Sequence, residues 1–242
     1  MTEPTRNPIT AYGRRLGAVF PDGDLVGVYV HGSIALGGFR PDRSDVDVLV
    51  VTRWTYGETD QRDIGDALLR NADPCPGTGL ELSVITEATA RDLGGCPFEV
   101  HVGGGRVITG ASHPGDPDLI LYAEVCRRSA VVAIGAPAGE VFGRVAPDRL
   151  RAAIRAELDW GVTEAPFEYA VLNACRARRF AADGALISKV AGGAWYLDQH
   201  PGDPVVLPAY LAQTGEPDVT PPPAEAVAEF VARAIGRLDD RA

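Results

Sequence analysis

The segment Tyr29–Val51, YVHGSIALGGFRPDRSDVDVLVV, constrains this chain more than any other. An apolar stretch with Val26, Val28 and Val30 ends in Gly32-Ser33. A glycine-rich turn follows, and Asp45-Val46-Asp47 lies inside a second apolar stretch. Side chains two apart in a strand share a face. Asp45 and Asp47 then project together, while Val46, Val48 and Val50 turn into a core. Two carboxylates on one face repel each other unless something positive lies between them. Mg²⁺ meets that need, because it takes oxygen ligands and bridges one or two carboxylates to substrate phosphates. Gly32 lets the backbone approach a ligand, and Ser33 offers a hydroxyl and an N–H to phosphate oxygens. Alone, an Asp-x-Asp strand is common on solvent faces and Gly-Ser is an ordinary turn. Their order along the chain reads as a nucleotide–metal site.

Two regions separate along the sequence. From about residue 8 to 138, helical and strand patterns alternate. Helices are expected at Ile9–Phe20 and Glu58–Asn71, where Ile64, Leu68 and Leu69 recur at helical spacing. Strands are expected at Leu25–His31, Asp45–Thr52 and Leu80–Thr86, the last after the break ADPCPGTG. Residues 96–110 read as irregular or strand-bearing, and Leu119–Ile134 as a helix. Beyond Pro147 the pattern is helical: Arg149–Trp160, Glu168–Asp183, Lys189–Asp198 and Ala224–Asp239. Prolines at 147 and 221–223 stand at helix starts, where they are tolerated. The expected fold is an α/β (α+β) N-terminal domain with a mixed sheet, residues 1–140, plus an all-α C-terminal helical bundle, residues 141–242.

Composition narrows the classes of function. A length of 242 residues with 45% hydrophobic content supports one large or two modest cores. No apolar run approaches the ~20 residues of a spanning helix, and MTEPTRNPIT lacks a signal-peptide apolar region. Cys75, Cys96, Cys126 and Cys175 show no C-x-x-C spacing and no paired histidine, so neither zinc nor a disulfide framework is expected. The expected compartment is the cytoplasm, and the expected state is a monomer. A net charge of −10 and the lack of a Lys/Arg cluster disfavour nucleic acid as a partner. An acidic protein attracts cations instead.

The order apolar strand, Gly-Ser, glycine-rich turn and Ser-Asp-x-Asp resembles the nucleotidyltransferase superfamily of the DNA polymerase beta type. HGSIALGGFRPDRSDVDVLVV is further similar to the aminoglycoside O-adenylyltransferases that modify streptomycin and spectinomycin, with one extra residue at Asp42-Arg43. The similarity continues in order through LELSVIT, DPDLILYAEVCRRSAVVAIGAPAGEVF, YAVLNACR and DGALISKVAGGAWYL. The resemblance implies Mg²⁺-dependent transfer of AMP from ATP to a hydroxyl of an aminoglycoside or aminocyclitol. Asp45 and Asp47 would hold the metal. Gly32, Ser33, Ser44, Arg176 and Lys189 would contact the phosphates.

Glu81 interrupts an otherwise apolar or neutral strand pattern in Leu80–Thr86, and an exposed edge-strand Glu is the ordinary explanation. The resemblance gives it another role, that of the base taking a proton from the acceptor hydroxyl. An alcohol needs such a base near neutral pH. Lys189 is the one lysine against 22 arginines, and a compact ammonium can point at a single phosphate where a planar guanidinium cannot. Arg176 stands thirteen positions earlier, the spacing of the matching pair in the family.

Trp160 matches an aromatic that lines the drug pocket, although a Trp on an amphipathic helix is more often core. Glu164 and Glu168 follow it and suit a cationic sugar. The segment between them is shorter than in streptomycin enzymes, and Pro166 and Tyr169 replace polar contacts. No tryptophan matches the second pocket aromatic in His101–Arg106. Spectinomycin is therefore favoured. The alternatives are another small-molecule acceptor, a protein hydroxyl, or a non-catalytic binding protein on the same fold.

Overall fold

The computed structural model describes residues 3–240. The chain divides into two compact units between Val145 and Ala146. The first unit is built on six strands: β1 Leu25–Val30, β2 Val46–Thr52, β3 Leu80–Thr86, β4 Val100–Gly103, β5 Arg106–Thr109 and β6 Val131–Gly135. Its helices are α1 Glu3–Gly17, α2 Gly32–Ala35, α3 Glu58–Arg70, α4 Glu87–Arg91, α5 Leu119–Ser129 and α6 Ala138–Val141. The sheet order is β5-β4-β3-β2-β1-β6. β2 and β3 run parallel, and every other neighbouring pair is antiparallel, so the sheet is mixed as expected.

The central strands are apolar nearly throughout because both faces of the sheet are covered, unlike a half-exposed strand. Val46, Val48 and Val50 join Leu82, Val84, Val100 and Val102 on one face, under Ile9, Tyr12 and Leu16 of α1 and Ile64 and Leu68 of α3. Leu49, Val51 and Ile85 lie on the other face, under Leu119, Ala123 and Cys126 of α5. Each fully buried aliphatic side chain of this kind contributes about 1.5–3 kcal/mol. Alternation therefore leaves Asp47 and Glu81 on the α5 face, next to the ends of their strands.

Two expectations need correction. The helix expected over Leu119–Ile134 ends at Ser129, and Val131–Gly135 is instead strand β6, paired antiparallel with β1 at the edge of the sheet. Four apolar residues after a helix satisfy either periodicity, and the open edge of β1 decides for strand. The first helix runs from Glu3 to Gly17 rather than from Ile9 to Phe20. The irregular or strand-bearing stretch 96–110 holds β4 and β5.

The second unit is helical: α7 Pro147–Glu164, α8 Phe167–Asp183, α9 Lys189–Gln199, α10 Val206–Thr214 and α11 Ala224–Asp239. α10 was not expected from the sequence. It is short, and Val206 and Ala209 are its buried residues. α8 is the hub, packing on all four other helices. Its small residues Ala170, Ala174 and Ala177 are buried, which lets neighbours approach closely. Gly184 at φ 75° ends α8, and the Ser188 hydroxyl accepts from Ala191 N at 3.2 Å to start α9. These caps place Arg176 and Lys189 on consecutive helices.

Candidate active site

The turn after β1 is pinned to β2. His31 N donates to Asp47 O at 2.9 Å, and Gly38 N donates to Ser33 O at 2.8 Å. Gly32 has φ +55°, and a Cβ placed there would lie 1.7 Å from Asp47 Oδ2. The Asp47 carboxylate therefore rests directly on the bare Gly32 backbone. The Ser33 hydroxyl oxygen is buried and has no hydrogen-bond partner among the described residues. A buried hydroxyl left unpaired costs about 1–3 kcal/mol, which a ligand oxygen would recover. His31 is buried and stacks on Tyr122, with ring centroids 4.9 Å apart. Burial drives its pKa down to about 3, so it stays neutral behind the turn.

Asp47 and Glu81 are direct cross-strand partners in the parallel β2–β3 register, so their side chains stand side by side on one face. Asp45 is exposed and immediately precedes β2. Burial raises the thiol pKa of Cys126 in α5, and the negative charge of Asp47 adds to the shift, so the carboxylate of Asp47 is felt across the face. Ser44 closes the turn before this strand: its hydroxyl accepts from Arg40 N at 3.1 Å, leaving its own proton to donate. The structure thus brings Gly32, Ser33 and Asp47 into one place, with Glu81 beside them.

Glu81 has a neighbour that the sequence reading overlooked. His101 Nε2 lies 3.4 Å from Glu81 Oε2, and His101 Nδ1 lies 3.0 Å from Ser83 Oγ. A Cβ on Gly103 would come within 2.3 Å of Glu81 Oε2, so the carboxylate extends across the glycine of β4. The polar interruption in Val100-His101-Val102 was the available signal. Its meaning depends on which strand lies opposite.

In the helical unit, Tyr169 is the centre of a second group. Lys189 Nζ sits 4.3 Å from the centre of its ring, and the Trp160 ring meets it edge-on at 5.6 Å. The Tyr169 hydroxyl donates to Glu157. Burial chiefly, then this carboxylate, raises the phenol pKa. Arg176 donates from Nε to Ile187 O and from Nη1 to Asn173 Oδ1, both at 2.8 Å. Arg176, Lys189 and Trp160 are thus gathered around Tyr169 and Asn173. Glu164 is exposed at the end of α7, and Glu168 is half-buried in the first turn of α8. Neither forms an ion pair among the described residues. Glu157 is the acidic residue that the sequence reading missed; it lies one helical turn before Trp160, so it shares that face.

Comparison with known proteins fits both units. Residues 19–94 match the nucleotidyltransferase domain, and residues 140–235 match the C-terminal domain of aminoglycoside adenylyltransferase. The chain thus carries a stretch that matches the nucleotidyltransferase domain, followed by one that matches that adenylyltransferase C-terminal domain. A curated relative, the spectinomycin 9-adenylyltransferase of Campylobacter jejuni, is 25% identical over 146 residues. The match spans 56% of this chain and 56% of the relative, little more than half of each. The solved structure of spectinomycin adenyltransferase AAD(9) from Enterococcus faecialis with ATP and spectinomycin aligns with a TM-score of 0.73. It covers 95% of this chain and 98% of that one at 17% identity, a likeness of fold.

The residues of the nucleotidyltransferase domain fit a magnesium nucleotide. The unpaired Ser33 hydroxyl and the side-chain-free Gly32 leave a polar cradle that would suit phosphate oxygens. No group of three or more His, Cys, Asp or Glu residues among those described forms an all-protein metal cage. Mg²⁺ commonly uses one or two carboxylates and completes its shell with phosphate and water. Gly32→Ala tests the cradle. The left-handed backbone costs the new residue about 1–2 kcal/mol, and its Cβ displaces the Asp47 carboxylate. Turnover and Mg·ATP affinity by calorimetry should each fall by about tenfold or more, a loss of about 1.4 kcal/mol. Unchanged affinity would remove Gly32 from the site.

Proposed function

We propose that this chain transfers AMP from ATP to a hydroxyl of a cationic aminocyclitol antibiotic, spectinomycin before streptomycin, and so confers resistance. The observation that carries the reading is the Asp47–Glu81 pair standing beside the Gly32–Ser33 cradle. In this reading Asp45 and Asp47 hold Mg²⁺, which supplies charge neutralisation on the triphosphate when bound. Ser33 Oγ and the Gly32 backbone take phosphate oxygens, helped by Ser44, Arg176 and Lys189. Glu81 removes the proton from the acceptor hydroxyl as that oxygen attacks the α-phosphorus in line. The bond to the bridging oxygen breaks, and pyrophosphate leaves with the electron pair. Positioning and charge do most of the work in such a step.

The acceptor stands against Trp160, with Glu164 and Glu168 facing its amino groups. No helix among the described residues is long and apolar enough to cross a membrane. The reading has the chain acting in the cytoplasm as a monomer, with no nucleic-acid partner given its charge of −10. Mass spectrometry of spectinomycin, streptomycin and other aminoglycosides incubated with each NTP tests the proposal. A nucleoside-monophosphate adduct on spectinomycin with ATP is the expected result. Pyrophosphate release with no adduct on any drug would move the reaction to another small molecule or a protein hydroxyl.

The double variant Glu164→Gln with Glu168→Gln tests the acceptor side. Glu164 is exposed, so its pair with a drug amine is worth the 0.2–1 kcal/mol of a solvated contact. With the half-buried Glu168, the KM for spectinomycin should rise about tenfold and ATP affinity should hold. An unchanged drug KM would place the amine-binding carboxylates elsewhere.

A further inference from the structure

We propose that His101 is the positioning residue of the Glu81 base. Its imidazole, oriented by Ser83, holds one carboxylate oxygen and leaves the other for the acceptor hydroxyl. The inference rests on the reading of Glu81 as base.

The geometry comes from the antiparallel β3–β4 register, which sets Ser83 directly opposite His101. Glu81 lies two residues before Ser83 and Gly103 two residues after His101, so all four share the α5 face of the sheet. Gly103 provides no side chain where Glu81 crosses it. A Cβ there would be 2.3 Å from Oε2 and 2.8 Å from both Cδ and Oε1. The carboxylate can therefore lie over β4, with Oε2 turned to His101 Nε2 at 3.4 Å. The distance is long for a hydrogen bond, as such contacts often are before substrate binds.

The hydrogen-bond network assigns the tautomer. A carboxylate only accepts, so the Nε2 atom facing it carries the hydrogen, and a neutral imidazole then accepts at Nδ1. Ser83 is 3% exposed, cut off from water, and its hydroxyl 3.0 Å away is the donor to Nδ1. Ser83 thus holds His101 by a hydrogen bond, and the Nε2–H of His101 faces Glu81 Oε2 at 3.4 Å, a charge contact that has not closed to a hydrogen bond. Phe98 meets the imidazole edge-on at 6.3 Å and walls one side. A free Glu side chain rotates about three bonds, and a base that must meet a hydroxyl in line loses rate when its oxygen wanders. His101 removes that freedom without neutralising the oxygen that reacts.

Steady-state kinetics of His101→Ala, His101→Gln and His101→Phe test this. His101→Ala should lower kcat about ten- to thirtyfold while KM for ATP and for spectinomycin stay within about twofold, the pattern of a group that acts only in the chemical step. His101→Gln keeps a donor amide within reach and should recover to within about threefold of wild type, whereas His101→Phe fills the space without a donor and should not. In the Glu81→Gln background, His101→Ala should cost nothing further, because a residue acting through Glu81 has nothing left to orient. Wild-type kcat in His101→Ala, equal activity of the Gln and Phe variants, or multiplying losses with Glu81→Gln would each overturn the proposal. Should His101→Ala fail to fold, the Gln and Phe comparison decides alone. Wild-type turnover in Glu81→Gln itself would instead remove the base reading beneath it.

Discussion

Asp47→Asn should abolish nucleotidyl transfer at saturating Mg²⁺ and leave the fold intact. Folding at this position depends on Val46 and Val48, both fully buried on the opposite face. Asparagine matches aspartate in shape and still lies against Gly32. It lacks the full negative charge that, with Asp45, would anchor the cation and through it the triphosphate. Losing several kcal/mol of charge stabilisation corresponds to about 10³-fold or more in rate. Removing one of two neighbouring carboxylates also relieves repulsion with Glu81, its cross-strand partner, so the melting temperature should hold or rise. Pyrophosphate release and a thermal melt measure both quantities. A variant with wild-type turnover would show that the carboxylate pair does not hold the metal.

Glu81→Gln separates binding from chemistry. The amide keeps the shape and can still cross Gly103, but it cannot take the hydroxyl proton. kcat should fall by about 10² to 10⁴, with Mg·ATP affinity by calorimetry nearly unchanged. A parallel loss of nucleotide affinity would make Glu81 a third metal ligand and leave the base unidentified. The register supports independent roles: Glu81 stands beside Asp47, whereas its carboxylate lies toward β4 and His101.

Features that repeat within a few residues were legible in the sequence. Period-two alternation put Val46, Val48 and Val50 in one core and Asp47 on the other face, where the structure has them. Leu80–Thr86 has the bounds that its apolar run between breaks predicted, and α11 has those of its helical pattern. Gly32 and Ser33 were marked by their place between strand and turn, and the structure has the Ser33 hydroxyl buried with no hydrogen-bond partner among the described residues. Proline at the start of α7 likewise works through its own backbone dihedral.

What the sequence by itself determined was therefore local: which residues alternate, where the chain turns, and which side chains carry chemistry. The tertiary structure alone decided which strands became neighbours. Val131–Gly135 is a strand only because β1 offers it an unpaired edge. Glu81 stands next to Asp47, and His101 opposite Ser83, only through registers that join segments far apart in the chain. In the helical unit, Tyr169 links Lys189 to Trp160 and Glu157 only because α7, α8 and α9 pack together. Hydrogen-bonded register and helix packing are long-range choices whose free energy comes from the whole core. Periodicity within a window of sequence can mark each partner, but not which partner it meets.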